Sequence, residues 1–180
     1  MTLEPTAAGR GAGDLRLLAG SLAIVLLLAG CASYDGRGLM TGQSRAADVE
    51  ALMGQPAEKT ALEAGGNVWF YPRQPQGRHM FAVTVDAGGV VRAVEQRLTM
   101  ENIHRLRFGE TTAKETRALL GPPWRMSRLE RQQREVWEYA VYDARGFEFY
   151  LYVQFSGDGV VREVLLLRDT YFEPGGPARD

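Results

Sequence analysis

A chain of 180 residues with 45% hydrophobic and 24% charged side chains, a formal net charge of −1 and one cysteine has the composition of an ordinary folded protein. That composition excludes a collagen-like or low-complexity chain, an intramolecular disulfide scaffold, and a strongly basic nucleic-acid binder held by phosphate neutralisation. The length suffices for one domain or two small ones.

The amino end carries the densest apolar run, Leu17 to Gly30, without a charge and with Arg16 immediately before it. Fourteen residues of helix span about 21 Å, short of the roughly 30 Å hydrocarbon core, so the pattern is that of a cleaved secretory signal over residues 1–30 and not of a membrane span. The run ends in Leu28-Ala29-Gly30-Cys31, which resembles a bacterial lipobox with the only cysteine at its key position. The resemblance implies that Cys31 receives a diacylglyceryl group, that cleavage follows Gly30 and that the new amino group is acylated. The alternative is a buried structural cysteine that happens to end an apolar segment. Two or three acyl chains make an effectively permanent anchor. Ala32 stands where lipoproteins retained in the inner membrane carry Asp, so the resemblance implies the outer membrane, facing the periplasm. Residues 31–38 read as a short polar tether.

The chain beyond the tether repeats itself. Gly42 to Pro56 aligns without gaps on Gly109 to Pro123, with six identities in fifteen positions. Val68-Trp69-Phe70-Tyr71 then matches Val136-Trp137-Glu138-Tyr139, and Gly89 to Val94 matches Gly159 to Val164. The copies occupy residues 39–100 and 101–168. In each, Ser44 or Thr111 is placed to cap a helix, apolar residues follow at helical spacing, Gly54 or Gly121 suits a left-handed cap, and Pro56 or Pro123 prevents continuation. Met100 to Leu106 reads as a further short helix. Hairpin signals recur at Gly65-Gly66-Asn67, Pro75-Gln76-Gly77, Ala87-Gly88-Gly89, Asp143 to Gly146 and Ser156 to Gly159, so the strands between them are antiparallel. Alternation puts Phe147, Phe149, Leu151, Val153 and Phe155 on one core face. The expectation is an α+β fold of two tandem repeats, each with one or two short helices on a three- to four-stranded antiparallel sheet. Residues 169–180 read as a disordered tail.

A glycine, a Ser/Thr cap, a short helix ending in Leu-x-Gly-x-Pro, then Trp-x-Tyr on a strand and a terminal hairpin: this pattern, with the lipobox, resembles the SmpA/OmlA (BamE-like) family of outer-membrane lipoproteins. Its duplication is similar to the fold of the β-lactamase inhibitor protein, in which two helix-on-sheet repeats form one concave surface. The resemblance implies a lipid-anchored, non-enzymatic protein that binds another envelope protein as a scaffold or assembly factor, β-barrel biogenesis included. The second fold suggests an alternative, inhibition of a periplasmic or secreted hydrolase such as a β-lactamase.

Neither His79 nor His104 sits at metal-ligand spacing, and no nucleophile elbow or phosphate loop is present, so no catalytic residue, metal or cofactor is expected. Opposite the core face, Tyr142, Tyr150 and Tyr152 in copy two and Phe70 and Met80 in copy one are candidates for partner recognition, because aromatic side chains bury large area at low entropy cost. The alternative is that the other copy or a loop covers them. Residues 105–134 hold eight Lys and Arg against three Glu, a surplus of five positive charges in a nearly neutral chain. Arg125, Arg128, Arg131 and Arg134 either face anionic headgroups or an acidic partner, or decorate a solvated hairpin.

Overall fold

The computed structural model describes residues 35–169. The proposed signal segment, Cys31 and residues 170–180 lie outside the described residues.

Two helix-and-sheet units follow one another. The first comprises helix α1 (Ala46–Met53) and strands β1 (Glu58–Ala61), β2 (Asn67–Pro72), β3 (Met80–Val85) and β4 (Val91–Gln96). The second comprises helices α2 (Met100–His104) and α3 (Ala113–Leu120) and strands β5 (Arg125–Leu129), β6 (Arg134–Tyr142), β7 (Glu148–Phe155) and β8 (Val161–Arg168), with one 3-10 turn at Glu130–Gln132. Each sheet is a four-stranded antiparallel meander, β1-β2-β3-β4 and β5-β6-β7-β8. A register shift falls at the equivalent place in both, Thr84/Val85 and Gln154/Phe155. The fold is therefore α+β, with few short helices on two antiparallel sheets.

Helix starts differ from the expectation by one residue. Thr112, not Thr111, caps α3: its hydroxyl accepts from the Glu115 amide at 3.2 Å, and the Glu115 carboxylate accepts from the Thr112 amide at 2.7 Å. In α1 the cap position is Arg45, and only the Asp48 carboxylate reaches back, to the Arg45 amide at 2.7 Å. Ser44 and Thr111 are buried and turn the other way. Their hydroxyls accept from the amides of Met40 and Arg107, and their carbonyls accept from Val91 and Val161, each within 2.9 Å. The chain thus runs alongside its own last strand for one residue before the helix begins, which shifts the cap.

Helix ends explain the Leu-x-Gly-x-Pro and Trp-x-Tyr combination. Gly54 (φ 81°, ψ −166°) and Gly121 (φ 80°, ψ −173°) occupy a region that is essentially glycine's alone, extended at positive φ and not the left-handed cap expected. Their carbonyls accept from the phenols of Tyr71 at 3.2 Å and Tyr139 at 3.1 Å. Burial pushes the Tyr71 phenol up to about 12 and raises Tyr139 further.

Both faces of the first sheet are covered. Trp69, Tyr71, Val83 and Val85 pack with Val49 and Met53 of α1. On the other face Val68, Phe70, Met80 and Ala82 join Ile103, Leu120 and the core face of the second sheet in one cluster. The repeats share a core and form one compact unit. That core face holds Trp137, Tyr139, Val141, Leu151, Val153 and Phe155, as alternation requires, but Phe147 falls in the β6–β7 turn and is exposed.

Both ends of the fold reach further than expected. Gly36 is buried, and a Cβ there would lie 2.9 Å from Val94 Cγ1 and 3.3 Å from Met53 Sδ, so residues 35–38 form a turn packed on the first unit in place of a tether. Asp169 is not tail: its amide donates to the Glu148 carbonyl at 2.9 Å and its carboxylate is buried.

Candidate docking surface

Strand alternation and register define the outer face of the second sheet. Arg125 lies opposite Glu138, Glu138 opposite Tyr152 and Tyr152 opposite Leu165, while Tyr150 is paired with Leu167. Leu165 and Leu167 are exposed, the latter at 52%, and Tyr150, Tyr152 and Glu138 are half-buried. Burial raises the Glu138 carboxyl pKa, with Arg125 opposing the shift, and the Tyr152 phenol is raised by burial first and by the Glu138 charge second. The surface is thus apolar at β8, mixed at its centre and cationic at β5.

Part of this face is already covered, from the first repeat. The β2–β3 loop (73–79) hooks onto β6 and β7 beyond the last β5–β6 pair at Arg125–Glu138. There the Ala140 amide, with no β5 partner, donates to Gln74 Oε1 at 2.8 Å. Arg78, only 4% exposed, sits in the left-handed region (φ 47°) and donates to the Phe149 carbonyl at 3.0 Å, Glu148 at 2.9 Å and Asp169 at 2.5 Å. Burial alone would lower its guanidinium pKa, but the Asp169 hydrogen bond and the Glu148 charge outweigh that and raise it. Its guanidinium stands 5.0 Å from the Tyr150 ring centre and 6.0 Å from Tyr142, whose other neighbour is His79 at 5.6 Å.

The structure therefore separates the sequence candidates. Tyr142 and Tyr150 lie beneath the hook, the loop-covered alternative, whereas Tyr152 lies on the open part of the face. Phe70 and Met80 are corrected outright: at 2% and 0% exposed they are core, because α3 ends on them. A Cβ on Gly121 would lie 2.7 Å from Met80 Cγ and 3.1 Å from Phe70 Cδ1. The four arginines do not share a surface. Arg125 is on the outer face, stacked 4.4 Å from the Trp124 ring centre; Arg128 points to the opposite face, 3.7 Å from Glu130; Arg131 is on the 3-10 turn; and Arg134 is held by Gln154 and Glu163 at 3.0 and 2.9 Å.

Sequence reasoning missed Leu165, Leu167, Arg78, Gln74 and Asp169. Four consecutive apolar residues, Val164 to Leu167, in one antiparallel strand must place two on each face, which was a usable signal. Nothing local marks Arg78, whose partners lie 70 or more residues away.

Among the described residues no group of three His, Cys, Asp or Glu is placed to hold a metal, and no helix is long and apolar enough to cross a membrane. No protein-family model matches the chain, and no curated protein matches it. Among solved structures it is similar to a DUF4309 family protein (YjgB) from Bacillus subtilis, with 17% identity, a TM-score of 0.29, and coverage of 74% of this chain and 84% of that one. A likeness that distant carries no argument about fold or function.

Proposed function

We propose that this protein is a non-enzymatic scaffold or assembly factor of the bacterial envelope, anchored to the outer membrane through acylated Cys31 and binding a protein on the outer face of its second sheet. The observation that carries the docking part is the open patch of Tyr152, Leu165 and Leu167, apolar side chains held on a rigid sheet beside Arg125 and Glu138. Rigid aromatic and aliphatic groups rimmed by charge are what protein recognition uses. The anchoring part rests on the resemblance of Leu28 to Cys31 to a lipobox.

The test has two arms. The chain should incorporate labelled palmitate in bacterial cells and Cys31→Ala should abolish it; no incorporation into the parent, or incorporation that survives the substitution, overturns the anchor. A photo-crosslinking residue at Tyr152 should capture protein in the native envelope, and paired Tyr152→Ala and Leu165→Ala changes should abolish capture by a conventional crosslinker while the fold stays intact. No capture at all overturns the docking role.

A further inference from the structure

The contact between the two repeats is built from one side of α3 and one face of the first sheet. Arg117 of α3 pairs with Glu58 of β1, and Gly121, which ends α3, lies against Phe70 and Met80. Internal repetition means that each half of this contact has a second copy elsewhere in the molecule: the helix end is uncovered, and the sheet face is open except where the 73–79 hook lies over Tyr150 and Tyr142. The counterpart of Gly121 is Gly54 at the end of α1: it is exposed, and a Cβ built on it meets nothing within 4 Å. The counterpart of the Phe70 face is the outer face of the second sheet, where Glu138, Tyr150 and Tyr152 stand in for Phe70, Met80 and Ala82.

The charges at the two free surfaces match. Arg117 is replaced in α1 by Glu50, and Glu58 is replaced in β5 by Arg125. Both members of the pair change sign, so the counterparts of the internal pair Arg117–Glu58 are Glu50 on α1 and Arg125 on β5, of opposite charge and each on a surface of its own. Glu50 is partly exposed beside Lys59 at 3.1 Å, and Arg125 is exposed over Trp124. A chance drift of two surface residues would as readily have left like charges.

We propose that the outer face of the second sheet receives α1 of a second copy of this chain, head to tail, with Glu50 of one copy opposite Arg125 of the next. The proposal rests on reading that face as a docking surface and names its occupant. The hook keeps the Tyr142 end of the face covered, and the contact uses the end that holds Arg125, Glu138 and Tyr152. Placing Glu138 where the internal contact has Phe70 makes this contact wetter and reversible. A head-to-tail contact between two different surfaces leaves one of each unused at the ends of the complex, so association continues past a dimer with rising concentration and ends only where the rotation closes a ring.

The experiment is sedimentation velocity on the full chain carrying Cys31→Ala, at increasing protein concentration and low salt. The weight-average mass should climb past that of a dimer. Glu50→Arg and Arg125→Glu should each raise the concentration needed by about tenfold or more, and the double reversal should restore it. Rescue by the double change excludes misfolding as the cause of the single effects. Glu138→Phe, which recreates the internal chemistry, should tighten association. A monomer at every concentration, or single reversals without effect, overturns the proposal. Photo-crosslinking at Tyr152 separates it from the broader reading: capture of a second copy supports both, capture only of a different envelope protein overturns self-stacking and leaves the docking role standing, and no capture overturns both.

Discussion

The two sheets descend from one pattern but treat the same face in opposite ways. In the first, Val68, Phe70, Met80 and Ala82 are fully or nearly fully buried beneath the helices of the second repeat. In the second, Val136 stays buried in the slot of Val68, but Glu138, Tyr150 and Tyr152 in the slots of Phe70, Met80 and Ala82 are half-buried, with the seven-residue hook from the first repeat over Tyr150. A repeat cannot bury both faces of its sheet alone, so the first unit depends on the second, and among the described residues the second leaves part of one face in water. Glutamate in the slot of Phe70 and tyrosine in the slot of Ala82 suit the second unit to that exposure. What is core in one copy becomes surface in the other, and a surface of that origin retains the geometry for receiving a helix.

The largest break in that symmetry should come from equal truncations at the paired slots. Phe70→Ala leaves a cavity between sheet and helix and should cost about 3–5 kcal/mol, whereas Glu138→Ala should change stability by less than about 1 kcal/mol. Urea unfolding of both variants checks this; similar losses would mean that the two faces are equally buried. Next in size is the hook. Arg78→Ala leaves the buried Asp169 carboxylate without its guanidinium and should cost about 3 kcal/mol. It should also speed proteolysis within residues 73–79 ahead of the remaining loops, readable by mass spectrometry of limited digests.

Legibility in the sequence followed the range of the interaction. The helices and hairpin turns were readable because their causes are local: Gly54 and Gly121 adopt a backbone that a side chain opposes, and each expected turn joins two strands of one meander. The duplication was readable because both copies keep those same local devices. Which face of a sheet is wet was not readable, since alternation sorts residues into two sets without saying what lies over either. Phe70 was misplaced for that reason. The ends were misjudged similarly: Gly36 and Asp169 look like linker residues until Val94 and Arg78 are brought to them.

A smaller test concerns the shared cap, where the two copies differ in degree. Tyr139→Phe removes a buried donor from the Gly121 carbonyl and should cost about 1–2 kcal/mol, while Tyr71→Phe, whose acceptor Gly54 is exposed where Gly121 is buried, should cost less. Thermal melts of the two variants rank the copies directly. Equal losses would show that the hydroxyl environments are alike despite the difference in burial.

The finest distinction is one of sign in the pH dependence of two carboxyls at adjacent slots of the comparison. The Arg117 hydrogen bond holds Glu58 below its ordinary 4.5, against a smaller opposing effect of burial. Its contribution is therefore complete above the unfolded value and is lost as pH falls through the folded one. Burial raises Glu138, whose charged form is disfavoured in the fold. That penalty is present in full above the raised value and disappears as pH falls toward 4.5. Glu58→Gln should therefore destabilise by about 1 kcal/mol at pH 7, allowing for the partial exposure of the pair, with the deficit shrinking on acidification. Glu138→Gln should stabilise slightly at pH 7, by less than about 1 kcal/mol, with the gain vanishing before pH 4. Urea midpoints of the two variants should lie on opposite sides of the parent at pH 7 and converge as pH falls. Parallel curves would mean that the internal and free faces share one electrostatic environment, which their different coverage by helix and by water argues against.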